Sequence, residues 1–146
     1  MREAPAAAPR PAGQVLWALI VGQLGLHSAM AGLRMASALQ ALREGYSAWA
    51  VGLLLALFAA APVVLALHSG RLADRLGYHR PVHAAAALVG GGMLLALAST
   101  QLGGGLHFAL LCAAATLTGA GANMGMIVTQ RTAGLTVSNQ IGRAHV

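Results

Sequence analysis

The sequence predicts an all-α membrane protein with four transmembrane helices, and three observations carry that expectation. Of 146 residues, 58% are hydrophobic and 8% charged, with a mean hydropathy of +0.70. A soluble domain carries about 25% charged residues, and a chain with a third of that cannot cover its surface with solvated side chains. The charges fall between long uncharged runs, and no stretch alternates as a half-buried strand does. The same composition argues against a soluble enzyme, a secreted disulfide scaffold and a disordered chain. At about 20 residues per membrane helix, the chain has room for roughly four to six spans.

The formal charge is +6, and all nine cations are Arg, at 2, 10, 34, 43, 71, 75, 80, 131 and 143. Such a basic chain raises nucleic acid as a partner. The scatter of the arginines along the sequence argues against it and matches loops between spans; the expected partner is the lipid bilayer. The single Cys112 excludes an intramolecular disulfide and a Cys-rich metal site.

Residues 1–13 hold three Pro, two Arg and one Glu and read as a disordered cytoplasmic lead. Residues 11–33 contain no formal charge, enough for a tilted span. Ala29-Met30-Ala31 offers a small-x-small cleavage site, but the apolar run is long for a signal core and further spans follow, so an uncleaved first helix is expected. Its Ala/Leu/Met continuation permits extension to Leu42. The second span is expected at 47–68, with Pro62 inside it as a tolerated kink. The fifty residues between Arg80 and Arg131 carry no formal charge, and Gly103-Gly104-Gly105 divides them into a third helix near 83–99 and a fourth near 106–129. Residues 14–131 thus form the membrane region.

An N-terminus inside places six arginines on the cytoplasmic side (2, 10, 71, 75, 80 and 131) and two outside (34 and 43), in keeping with the positive-inside rule. The expected location is a bacterial inner (plasma) membrane.

The segment joining the second and third helices reads Gly70-Arg71-Leu72-Ala73-Asp74-Arg75-Leu76-Gly77-Tyr78-His79-Arg80, with four charges in eleven residues. Physically it is a tight cytoplasmic turn, with glycines for close approach and an Asp able to accept from helix N-terminal amides or pair with Arg. It resembles the G-x-L-a-D-r-x-G-r-k signature of the major facilitator superfamily, which lies between that family's second and third helices. Gly70, Leu72, Asp74, Arg75 and Gly77 match in register; Tyr78 and His79 depart from the common basic residues, and Arg80 supplies a basic residue one position further on. The resemblance spans all four helices. It implies a twelve-helix secondary transporter of two six-helix halves, with the substrate near the midplane and alternating access. It also implies that the loop acts as a conformational latch, with Asp74 the acceptor, Arg75 and Arg80 its cation neighbours, and Gly70 and Gly77 permitting close packing. The partners would be a small-molecule substrate, with protons as a candidate coupling ion, and the remaining helices of the full transporter.

Gln23, His27, Met30 and Arg34 lie at i, i+4, i+7 and i+11, one stripe of the first helix. A polar stripe on a membrane helix should face the bundle interior or a watery cavity. Two readings stay open. Arg34 receives an anionic substrate group or pairs with a carboxylate on another helix, and His27 titrates during transport; or Arg34 anchors at the interface, and His27 is a hydrogen-bonded packing residue. In the fourth helix, Gly121 and Gly125 form a G-x-x-x-G pair that Gly119 extends, as close helix packing requires. Asn123 serves either as interhelical glue or as a cavity hydrogen-bond donor. Many members of the superfamily carry an Arg before these glycines, linked with proton coupling; this chain has none.

Other chemistry is poorly represented. His79 and His83 are spaced i, i+4, but the intervening Pro81 is expected to disfavour a regular helix across both, and no metal or cofactor is expected. The only acids are Glu3, Glu44 and Asp74, so no carboxylate pair for catalysis exists and no enzyme is expected. Residues 132–146 read as a truncated tail. Ile141-Gly142-Arg143-Ala144-His145-Val146 resembles a translated sequencing-adapter tail and fits no helix, so the chain reads as the N-terminal part of a longer transporter. The alternative is a four-helix oligomeric membrane scaffold or a small exporter subunit.

Overall fold

The structure is a computed structural model that describes the backbone of residues 12–76 and 79–144, and side chains over residues 13–64 and 79–135. Four α-helices follow one another: α1 (Ala12–Arg43), α2 (Ala48–Leu76), α3 (His79–Ser99) and α4 (Gly104–Ala144). The described residues contain no strand. Three helical stretches are long and apolar enough to cross a membrane: Gly13–Arg43, His79–Ser99 and Gly104–Leu135. The described apolar part of α2, Ala48–Val64, is shorter. The described residues are thus organised in helices and compatible with an integral membrane protein.

The helices outrun the apolar segments that announced them. α1 continues through Arg34 to Arg43, α2 runs on to Leu76, and α4 extends to Ala144, covering most of the segment read as a non-helical tail. Hydropathy marks where the oily stretch ends, but backbone hydrogen bonding has no reason to stop there. The expected turn 70–80 is consequently mostly helix, with only residues 77–78 between α2 and α3. α3 begins at His79, earlier than expected, because Pro81 falls in its first turn, where a missing N–H costs nothing. His79 and His83 therefore do share one helix, contrary to the sequence expectation.

Local chemistry fixes the two loops at one end of the bundle. α1 ends in a Schellman arrangement: Gly45 N–H donates to Leu42 O (3.1 Å) and Tyr46 N–H to Ala41 O (3.1 Å). Gly45 sits at φ +81°, the left-handed conformation that glycine adopts without penalty. Ser47 caps α2 by accepting from Ala50 N–H at 3.3 Å. At the opposite loop Gly104, at φ +62°, starts α4.

α4 is the central helix. It packs most extensively on α3, then on α2, and also touches α1. The main apolar core lies toward the loop end, where Ala41, Val51, Leu54, Phe58, Ala96, Leu111, Ala114 and Ala115 are buried together. Within an apolar stretch of eighteen residues of each, half of α4 is buried, against 6% of α1. α1 accordingly turns Trp17, Ile20, Val21, Leu24, Met35 and Leu39 outward.

Glycines set the closest approaches. A Cβ on Gly119 would strike the Phe58 carbonyl, and one on Gly121 would lie 2.8 Å from Ala85 O and Leu88 Cβ. A Cβ on Gly125 would clash with the flexible end of Leu26 and make ordinary contacts with Ala85 and Gln23. Gly92 on α3, which the sequence did not single out, is as tightly placed against Thr118 and 2.9 Å from Ala114 O.

Candidate functional site

The polar stripe of α1 meets α2 and α4 in an open cleft of about 230 Å³. His27, Met30 and Arg34 come from α1, Phe58, Ala59 and Pro62 from α2, and Gly119, Ala122, Asn123 and Met126 from α4. Three of the four candidate substrate residues, His27, Arg34 and Asn123, thus share one lining. Gln23 lines an adjoining groove of about 470 Å³ between α1 and α4, which shares His27 and Met126 with the first.

The cleft lies at mid-helix. His27 is fifteen residues from the start of α1 and sixteen from its end. Pro62 is fourteen from either end of α2. Gly119 is fifteen and sixteen residues from the ends of the Gly104–Leu135 span. Arg34 lies seven residues beyond His27, about 10 Å along the axis at 1.5 Å per residue.

One wall follows from two residues. Pro62 has no N–H, so the Phe58 carbonyl, four residues earlier, lacks its helical donor. Gly119 packs onto that same carbonyl. A glycine presents Cα–H where another residue would present Cβ, and Cα–H···O contacts recur between closely packed helices. The kink-prone point of α2 is therefore seated on the smoothest point of α4.

Within the stripe, Gln23 Nε2 lies 2.6 Å from His27 Nδ1. With the amide so oriented, Nδ1 accepts and Nε2 carries the ring proton. Gln23 Oε1 is buried and has no hydrogen-bond partner among the described residues. Arg34 is exposed, and Asn123 is half-buried.

The candidate latch is only partly described. Gly70, Asp74 and Arg75 lie on the helical backbone of α2, with side chains outside the described residues. Gly77 also lies outside them, and Arg80 is exposed in the first turn of α3.

A second polar cluster, unsuspected from sequence, lies at the loop end. His107 is fully buried; its Nδ1 is 2.7 Å from Ser99 O, and its Nε2 is 3.2 Å from Glu44 Oε1. Ser99 O only accepts, so Nδ1 carries a proton. Nε2 then faces the carboxylate at ion-pair distance, outside good hydrogen-bond alignment. Gln40 Nε2 donates to the same Glu44 oxygen at 3.2 Å. Beside it, Tyr46 donates its hydroxyl to Gly104 O at 2.7 Å and stacks on Phe108 with ring centroids 4.8 Å apart. A lone His in an apolar run carries no signal of such partners, which come from α1 and from the end of α3.

The chain is a four-helix protein of membrane character with a polar cleft at mid-helix. Comparison with protein-family models, with curated proteins and with solved structures returned no match.

Proposed function

We propose that these four helices belong to a secondary transporter of the major facilitator kind, moving a small solute by alternating access as the N-terminal part of a longer carrier. The cleft between α1, α2 and α4 is its substrate surface, and the segment 70–80 is its conformational latch. The observation that carries this reading is that His27, Arg34 and Asn123 line one cleft between α1, α2 and α4, with His27 at the middle of α1 and Arg34 about 10 Å toward the loop end. A transporter that rocks about a fixed site needs its polar groups there, and a bundle held only by packing has no use for them. The register of Gly70, Leu72, Asp74, Arg75 and Gly77, with Arg80 one position beyond, is the second support.

In this reading Arg34 and Asn123 orient the solute, and His27 exchanges a proton as the access side changes. Pro62 and Gly119 give the cleft wall a point at which α2 can flex on α4. Latch contacts of Asp74 bias the outward-facing state.

The test is solute flux in proteoliposomes carrying the complete transporter. Asp74→Asn is expected to slow flux while leaving membrane insertion intact; undiminished flux would end the latch assignment. His27→Ala is expected to flatten the pH dependence of flux, and an unaltered pH profile would remove the proton role.

The oligomeric alternative draws on α1, where Gly25 and Gly32 have open space around them. Cysteines placed there would cross-link between copies in the membrane if this face were an oligomer seam, and would stay monomeric in the transporter reading.

A further inference from the structure

We infer that the α1–α2–α4 cleft takes a small organic monoanion with an apolar body, held through Arg34. The inference deepens the transport reading and rests on its assignment of the cleft as the substrate surface, but binding can be measured without flux.

Charge is the first argument. Arg34 is the only formally charged residue in the lining, which contains no acid. The whole sequence has three acids: Glu3, Glu44 and Asp74. Glu44 faces His107 and Gln40 at the loop end, ten residues and about 15 Å along α1 from Arg34. No carboxylate among the described residues neutralises this guanidinium. A guanidinium without a carboxylate partner inside a bilayer is costly, so an anion gains by pairing with it and a cation is repelled.

The neighbouring chemistry narrows the class. Asn123 brings an amide N–H₂ to the lining, and His27, its Nδ1 engaged by Gln23, has its other ring nitrogen protonated. Both are donors, as a carboxylate needs, and the planar guanidinium can take a carboxylate in a bidentate fork. Met30, Met126 and Phe58 supply adaptable apolar and aromatic surface for the remainder of the solute. With a single fixed cation, a second negative charge would have no partner. A volume of about 230 Å³ falls below the usual ~300–1,000 Å³ of drug-sized sites, which suits a solute the size of benzoate.

The test uses the methionines as reporters. The full chain, labelled at its methionine methyl groups with ¹³C, is placed in phosphatidylcholine nanodiscs and titrated at neutral pH with benzoate or its cationic counterpart benzylamine. Met30 and Met126 line the cleft, whereas Met35 and Met93 are exposed on the outer surface. Saturable shifts of the Met30 and Met126 signals by benzoate are expected, with Met35 and Met93 unmoved and benzylamine at least ten-fold weaker. Arg34→Gln should weaken benzoate at least ten-fold, and Arg34→Lys should retain part of the binding. Equal binding of the two probes, undiminished binding by Arg34→Gln, or no saturable shift would overturn the inference. If Arg34→Gln fails to fold, the two-probe comparison on the unaltered chain decides. Absence of flux in the complete carrier with benzoate binding intact would remove the transport reading alone. Flux of a cationic solute without benzoate binding would remove this inference alone.

Discussion

Gly119 and Gly125 sit on the same helix, yet the same substitution should affect them unequally. A methyl group at Gly119 would run into the backbone of α2 at Phe58, whereas at Gly125 it would clash only with the movable end of Leu26. Gly119→Ala is therefore expected to cost about 1–3 kcal/mol, as overpacking does, and Gly125→Ala clearly less. Gly91→Ala, with open space around it, should be neutral or gain up to about 1 kcal/mol from helix propensity. Thermal unfolding in detergent checks the ranking. His107→Ala would remove one of the two hydrogen bonds to Ser99 O, which keeps that from Leu102 N–H, and leave a void beside Glu44, lowering stability by about 1–3 kcal/mol; an unchanged Tm would show that the cluster contributes little. Sequence reading found the stripe of Gln23, His27 and Arg34 because helical spacing alone puts those residues on one face. It missed His107 and Gly92 because their significance lies in residues far away in sequence, Glu44 for one and Thr118 for the other.

The helices were legible as elements, and their ends were not. Apolar runs located all four, and the first was allowed to run on to Leu42, but the second was expected to stop at 68 and the fourth near 129. Arg34 did not end α1, and the charged segment after Gly70 did not end α2. Charged side chains at a helix end can reach the polar interface while the backbone continues its ladder. The real stops are conformational: the left-handed Gly45 with its two reversed hydrogen bonds, and Gly104 at the start of α4. Gly103-Gly104-Gly105 was read as a break and one lies there, but a run of glycines does not end a helix by itself, since Gly90-Gly91-Gly92 continue α3; Gly104 at φ +62° marks this one. The two loops are joined by Tyr46 Oη to Gly104 O. Tyr46→Phe keeps the ring stack on Phe108 and removes only this bond, so it should cost about 1 kcal/mol, read as a small drop in Tm.

Taken as a whole, the bundle is packed unevenly. Its core gathers at the loop end and its polar cleft lies at mid-height, while α1 turns most of its apolar surface outward. Lipid, further helices or both can cover that surface. The arginine count predicts that the loop end faces away from the cytoplasm. In a Cys112→Ala background, Gln101→Cys should react with a membrane-impermeant maleimide added outside intact cells, and His83→Cys only after the membrane is opened; both positions are exposed. The opposite pattern would invert the topology. Composition gave the membrane character because charge density is a property of the whole chain. The cleft needed coordinates, because α2 and α4 contribute to it through Phe58, Pro62 and Gly119, residues with no polar side chain to announce them.

The joined loops also bear on how the chain is made. α1 and α2 emerge from the ribosome first, with Glu44 and Tyr46 in the turn between them. The groups they face, Gly104 O, His107 and Phe108, are translated some sixty residues later. The first hairpin can thus enter the membrane with its turn unfinished, and it is completed only when the second hairpin arrives beside it. The Glu44–His107 pair and the Tyr46–Gly104 bond therefore mark the moment at which two inserted hairpins become one assembled bundle, a maturation step that a cross-link between residues 46 and 104 during synthesis would time.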